Sequence, residues 1–252
     1  MRVVRRIADL GVLDGDVGLV PTMGALHAGH ESLIFAAGSD CDTVVVSLFV
    51  NPAQFGDGDD LALYPRDEDR DFRFAEAAGA DVVFAPTVEE MYPPGFQTWV
   101  EVEELSRGLE GTHRPGHFRG VATICLKLFN IVRPRYAYFG QKDAQQLAVL
   151  RRMVRDLDLG VTITSVPTVR DADGLALSSR NARLSSAERE AALALPRALA
   201  TRDVDAARAA LEGLDVDYVE VAELDGQRIL AAAVRVGKSR LIDNVVLEGD
   251  ST

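Results

Sequence analysis

All four histidines of this 252-residue chain fall in two short loops, His27 and His30 in one, His113 and His117 in the other. The first pair closes the stretch Val20-Pro21-Thr22-Met23-Gly24-Ala25-Leu26-His27-Ala28-Gly29-His30. An apolar run precedes this stretch and a helix-favouring run follows it. A strand, a glycine-containing turn and a helix N-terminus turn backbone N–H groups outward, and the helix dipole favours an anion there. Residues i and i+3 share a helix face, so both imidazoles can address one phosphate and donate hydrogen bonds as charge builds on it. Two metal ligands is the competing reading of His27-x-x-His30. Zinc needs three or four, and no cysteine pair or nearby acid completes a set. If the second histidine loop faces the same ligand, that ligand is polyanionic; the plainer reading is that loops favour polar residues.

Later loops carry matching groups. Gly140-Gln141-Lys142-Asp143 offers a tight turn and the compact charge of Lys142. Leu177-Ser178-Ser179-Arg180-Asn181 offers two hydroxyls and a guanidinium, groups that clamp phosphates. Alone, the first is also an ordinary helix start and the second an ordinary capping loop. Gln54 and Gln146 are neutral amides able to hold a hydroxyl or a carboxylate without neutralising it. Alone, each also reads as a surface glutamine.

The elements that must position these residues follow from periodicity. Residues 1–16 read as a short helix and a turn, 17–21 as a strand, and the stretch after His30 as a helix to about Ser39. Thr43 to Val50 is a nearly continuous β-branched run, the pattern of a parallel strand buried on both faces. These make a βαβ unit with a right-handed crossover. A polar loop, Asn51 to Asp60, leaves the second strand at its carboxyl end, the edge where open α/β sheets bind ligands. A helix over 67–78, a strand over 81–85 and a short strand over 98–102 follow. Further on come a helix over 121–132, a strand over 136–139, a helix over 144–157 and a last strand over 161–166. From Ser185 the texture changes to two alanine-rich helices reaching about Leu211, then strands over 216–222, 231–236 and 241–247. The expected architecture is an α/β nucleotide-binding domain over 1–174 and a small α/β domain over 175–252. No internal repeat interrupts it.

A net charge of −12 argues against a broad nucleic-acid or anionic-membrane surface. Apolar runs fall well short of the ~20 residues that cross a bilayer, and Met1 to Ile7 shows no signal peptide. Cys41 and Cys125 are too few for a disulfide framework. They read as buried free thiols, which fits a cytoplasmic protein.

Taken together, the motifs are more specific than any one of them. Residues 21–30, Phe49-Val50-Asn51-Pro52-Ala53-Gln54-Phe55, Tyr64-Pro65-Arg66, Arg114-Pro115-Gly116-His117-Phe118, 139–146 and 170–181 occur in the order seen in the pantoate–β-alanine ligases, and the chain resembles that family. The resemblance implies a Rossmann-like nucleotidyltransferase domain with a central parallel sheet. It implies ATP and Mg²⁺, a pantoyl-adenylate intermediate, attack by β-alanine, and a homodimer. By position, Met23, Gly24, Ala25, Leu26, His27, Ala28, Gly29 and His30 line the ATP site, with His30 as proton donor. Gly140, Gln141, Lys142, Asp143, Val169, Leu177, Ser178, Ser179 and Arg180 complete that site. His27 and His30 act at the α-phosphate, while Lys142 and Arg180 manage the leaving pyrophosphate. Gln54 and Gln146 hold pantoate, and Gln54 also serves β-alanine. No metal ligand is assigned; Asp69 and Asp71 are candidates. Leu177 stands where the family commonly has Met, and Gln141 where it commonly has Glu. Other nucleotidyltransferases, a tRNA-charging fragment and a silent nucleotide-binding regulator are the rival readings. The lack of a basic surface and the neutral Gln54 and Gln146 weigh against the first two. Both histidine loops with Lys142 and Arg180 weigh against the last.

Overall fold

A computed structural model describes residues 1–56, 61 and 64–247. Residues 57–60 of the expected polar loop lie outside the described residues. Six parallel strands form the central sheet: β1 (Arg2–Val4), β2 (Val17–Thr22), β3 (Thr43–Leu48), β4 (Val82–Phe84), β5 (Tyr136–Gly140) and β6 (Thr162–Val166), in the order β1-β4-β3-β2-β5-β6. Alternate residues of the β-branched strands serve opposite faces. Leu19 and Val45 join one core, and Val20, Val44 and Val46 the other. The connecting helices are α1 (Ile7–Leu10), α2 (Ala28–Asp40), α3 (Glu68–Ala78), α4 (Val88–Met91), α5 (Glu110–His113), α6 (His117–Val132) and α7 (Ala144–Asp156). Helices α6 and α7 cover the first face, α2 and α3 the second.

The strand order reverses between β2 and β5. Strand β2 pairs with β3 along its whole length, to Thr22 opposite Leu48, but meets β5 only at Gly18 and Leu19. Beyond Leu19 the two strands part, and a crevice opens at their carboxyl ends, as expected at a topological switch point.

After β6 come α8 (Ser186–Ala192), α9 (Ala194–Leu199) and α10 (Val204–Ala210), then an antiparallel meander of β7 (Asp215–Leu224), β8 (Gln227–Val236) and β9 (Ser239–Val246). These elements enclose their own apolar core, built on Leu195, Leu199, Leu211, Leu230 and Val234. Tyr218, Leu224 and Ile229 of the meander also pack on Leu109, Ala144 and Ala148 of the larger part.

Three expectations differ from the structure. Residues 2–4 form an edge strand before the short helix; three residues carry too little periodicity to reveal a partner 80 positions away. Residues 98–102 pair with no strand, and the Val100 N–H donates instead to Thr123 Oγ1 at 3.0 Å. The alanine-rich region makes three helices rather than two, with a break at Leu193. Both cysteines are free, Cys125 buried and Cys41 half-buried.

Candidate active site

The turn between β2 and α2 is held by an acid 45 residues away. Gly24 and Ala25 both adopt positive φ, +85° and +51°, a strained pair for which glycine is preferred at the first position. Asp71, only 1% exposed, secures them. Its Oδ2 accepts from the Ala25 N–H and its Oδ1 from the Leu26 N–H, each at 2.8 Å. Asp71 thus spends both oxygens on backbone amides. Asp69 lies exposed on α3, and neither aspartate lines the cleft.

The two histidines then cap α2 reciprocally. His27 Nδ1 accepts from the Gly29 N–H at 3.1 Å, and His30 Nδ1 accepts from the His27 N–H at 3.2 Å. The rings lie 4.1 Å apart. Burial, then the charges of Lys142 and Arg70, lowers the His27 pKa to about 4. Burial, then His27, lowers that of His30 to about 3. Both rings are therefore neutral near pH 7. Because each Nδ1 is an acceptor, the proton sits on Nε2, and each ring keeps one N–H donor for a ligand.

Beside the β2–α2 turn, Pro52–Gln54 form a single 3-10 turn capped by Asn51, whose Oδ1 accepts from the Ala53 N–H at 3.3 Å. Asn51 is buried and also donates to Gln54 Oε1 at 3.0 Å and to the Gly120 carbonyl at 3.1 Å. Tyr92 donates to Asn51 Oδ1 at 2.8 Å. Gln54 Nε2 points at Met23 Sδ, 3.0 Å away. A thioether is a weak acceptor, so the amide retains donor capacity for a ligand. Helix α6 presses on this turn so closely that a Cβ at Gly120 would lie 2.3 Å from the Ala53 carbonyl oxygen.

The second histidine loop divides. Arg114 Nη1 donates to His117 Nε2 at 3.1 Å, so His117 carries its proton on Nδ1 and donates it to the Gln54 carbonyl at 2.9 Å. Burial, then the Arg114 charge, lowers the His117 pKa to about 4. Both its ring nitrogens are engaged, so it braces the glutamine turn. His113 is exposed and lies against Tyr218 and, at 3.9 Å, Asp217, outside the cleft.

Lys142 follows β5 and pairs with Asp143 at 3.3 Å. Burial raises the Asp143 pKa, but Lys142 and then Arg180 outweigh it and the net shift is downward. The Lys142 and Gln141 carbonyls accept from Asn244 Nδ2 at 2.8 and 3.0 Å, tying this loop to β9. Ser178 caps the turn Ser179–Arg183, its Oγ accepting from the Arg180 N–H at 3.2 Å.

One cavity of about 240 Å³ gathers most of these groups. Of the residues singled out from the sequence, Met23, His27, Gly29, His30, Gln54, Gly140, Lys142, Asp143, Gln146, Val169, Leu177, Ser178, Ser179 and Arg180 line it. Gly24, Ala25, Leu26, Ala28 and Gln141 do not line it. The first two shape the turn, Leu26 is core, Ala28 is exposed, and Gln141 contributes its carbonyl. Asn51 and Arg114 were not singled out and line the cavity too. The Asn-Pro pair before the glutamine, a cap followed by proline at the first turn position, is the sequence signal for Asn51.

Comparison with known proteins identifies the relatives. The family model described as Pantoate-beta-alanine ligase matches residues 2–246. The pantothenate synthetase of Heliobacterium modesticaldum is 56% identical over 92% of both chains. That of Roseiflexus castenholzii is 51% identical, over 98% of this chain and all of its own. The crystal structure of pantothenate synthetase from Thermus thermophilus superposes with a TM-score of 0.94 at 45% identity, covering 97% of this chain and 99% of that one. A Francisella tularensis pantoate-beta-alanine ligase, crystallised with beta-gamma ATP and beta-alanine, gives 0.85 at 35% identity over 98% and 97%. The chain belongs to the pantoate–β-alanine ligase family.

Proposed function

We propose that this chain joins pantoate to β-alanine using ATP, with pantoyl adenylate as the intermediate. A pantoate carboxylate oxygen attacks the α-phosphorus, the bond to the β-phosphate bridge breaks, and pyrophosphate leaves. The β-alanine amine then attacks the acyl carbon, AMP departs with the bond electrons, and the amine proton passes to solvent. Positioning and charge stabilisation carry such a transfer; no side-chain nucleophile takes part.

The neutral His27–His30 pair carries this reading. Each ring presents one Nε2–H at a helix N-terminus, a fixed donor for the α-phosphate oxygens as charge builds there. In the proton-donor role assigned to it, His30 donates this hydrogen bond. Lys142, Ser178, Ser179 and Arg180, lining the same cleft, hold the β- and γ-phosphates. Gln54 and Gln146 hold pantoate between them, and Gln54 also serves β-alanine. Met23, Gly29, Gly140, Val169 and Leu177 complete the ATP wall.

Asp143 is the one carboxylate among the described residues lining the cleft, and these residues offer no group of three or more metal-type side chains. That composition suits a Mg²⁺ ion held mainly by the nucleotide phosphates and water, with Asp143 as its protein ligand. Held there, such an ion would supply positive charge to offset that of the phosphates.

Residues 1–174 form the nucleotide and pantoate domain, and 175–252 a lid-like domain. The separate apolar core behind Leu175 supports that division. The protein works as a cytoplasmic homodimer on small molecules, with neither nucleic acid nor membrane as partner. No described helix is long and apolar enough to cross a membrane. ATP–pyrophosphate exchange tests the reaction: it should require pantoate and proceed without β-alanine. Exchange that ignores pantoate would overturn the assignment.

A further inference from the structure

The wall that holds Gln54 is connected to the C-terminal sheet through buried charges. Glu110, at the start of α5, is 6% exposed. Its Oε1 accepts from the Tyr218 hydroxyl at 2.9 Å, and its Oε2 from Arg240 Nη1 at 2.6 Å. Both donors belong to the meander. Arg240 is itself fixed by Asp217, its Nε donating to Oδ2 at 2.5 Å. On the cleft side, Arg114 Nη1 stands 3.9 Å from Glu110 Oε2. The shorter contacts of Arg114 go to His117 at 3.1 Å and to the Gln54 carbonyl at 3.4 Å.

Arg114 thus has Glu110 on one side and His117 with the Gln54 carbonyl on the other. A carboxylate is a stronger partner for a guanidinium than an imidazole nitrogen or a neutral carbonyl. Glu110 holds Arg114 only as a long ion pair at 3.9 Å, while Arg240 and Tyr218 make its short contacts and offset its charge. Both arginines and Glu110 are mostly buried, so water screens little of this competition.

We propose that Arg240 and Glu110 are positioning residues for the acid subsite: by offsetting the charge of Glu110, Arg240 of the C-terminal sheet leaves the shorter contacts of Arg114 on His117 and the Gln54 turn. Seating the sheet on Glu110 and shaping the pantoate wall are then one event. Neither residue lines the main cleft, so each acts through Arg114. The inference rests on the assignment of Gln54 to pantoate.

The test uses the full chain and measures KM for pantoate and for ATP in pyrophosphate exchange. Arg240→Met should raise the pantoate KM about 2- to 30-fold, the range for residues that modulate a site through intermediates, with the ATP KM within about twofold of native. Adding Glu110→Gln should restore part of the loss, because the residue that captures Arg114 is gone. Two simple losses that multiply would overturn the proposal, as would pantoate and ATP KM rising together. Tyr218→Phe removes one hydroxyl and is the milder variant; a smaller rise confined to pantoate is expected, and an ATP-only rise would contradict it. Gln54→Ala separates the two assignments. A native pantoate KM in Gln54→Ala removes the acid-site reading and this inference with it. A raised value there, with a native value in Arg240→Met, removes the link alone.

Discussion

Protonation decides what His27 and His30 can do. A charged pair 4.1 Å apart would repel; burial keeps both neutral, and the Nδ1 hydrogen bonds leave the donors on Nε2. Removing one such donor typically costs about 10²–10³ in rate. His30→Ala should therefore lose pyrophosphate exchange by about that factor. Its thermal unfolding should change only by the loss of a helix cap, about 1 kcal/mol. Near-native exchange would show that His30 does not serve the phosphate. Asp71 acts one step back. Asp71→Asn puts an NH₂ donor where two N–H donors converge, leaving a buried donor unpaired. We expect a loss of about 1–3 kcal/mol in urea unfolding together with a raised ATP KM. A variant with both values native would mean that the turn holds itself. At this scale the residues were legible but their division of labour was not. Gln145 and Gln146 are adjacent and identical in type. Yet Gln145 is buried, bonding Glu110 N–H and the Leu105 and Gly108 carbonyls, while Gln146 lines the cleft.

Elements are where α6 meets the 3-10 turn of Gln54. The helix can approach because position 120 has no side chain. A Cβ there would meet Ala53 and Gln54 backbone atoms at 2.3–2.6 Å, and backbone cannot rotate away. Gly120→Ala should move the turn, destabilise the fold by about 1–3 kcal/mol and raise the pantoate KM more than the ATP KM. An equal effect on both substrates would detach the turn from the acid subsite. The long elements of the sheet were legible because both-face burial writes β-branched runs and helices write a 3.6-residue period. Strand β1 and the three short C-terminal helices were not, since segments of three to seven residues take their state from what they pack against.

For the whole molecule, His27, His30 and His117 make stability depend on pH on the acid side of neutrality. His27 and His117 sit at about 4 and His30 at about 3, against 6.5 when exposed. Between those values the unfolded chain binds more protons than the folded one, so stability rises with pH. It is complete above about 6.5 and lost as pH falls toward 4. Each histidine contributes a slope of at most about 1.4 kcal/mol per pH unit. Urea midpoints measured from pH 4.5 to 8 should climb to about 6.5 and then level; a flat profile would mean that these rings titrate normally. The two parts also meet through charge: Arg170 pairs with the buried Asp243 at 2.6 Å, beside the Asn244 bonds to the Lys142 loop.

By itself the sequence determined the strand–turn–helix with its histidine pair, the parallel sheet and the order of the ligase motifs, because each is written in local spacing and residue type. Only the tertiary structure decided the rest: that Asp71 holds the Gly24–Ala25 turn, that His117 braces Gln54 while His113 stands outside the cleft, and that Arg240 reaches Glu110. Those outcomes depend on hydrogen bonds between residues tens of positions apart, and each buried polar group takes whichever partner the fold brings within about 3 Å.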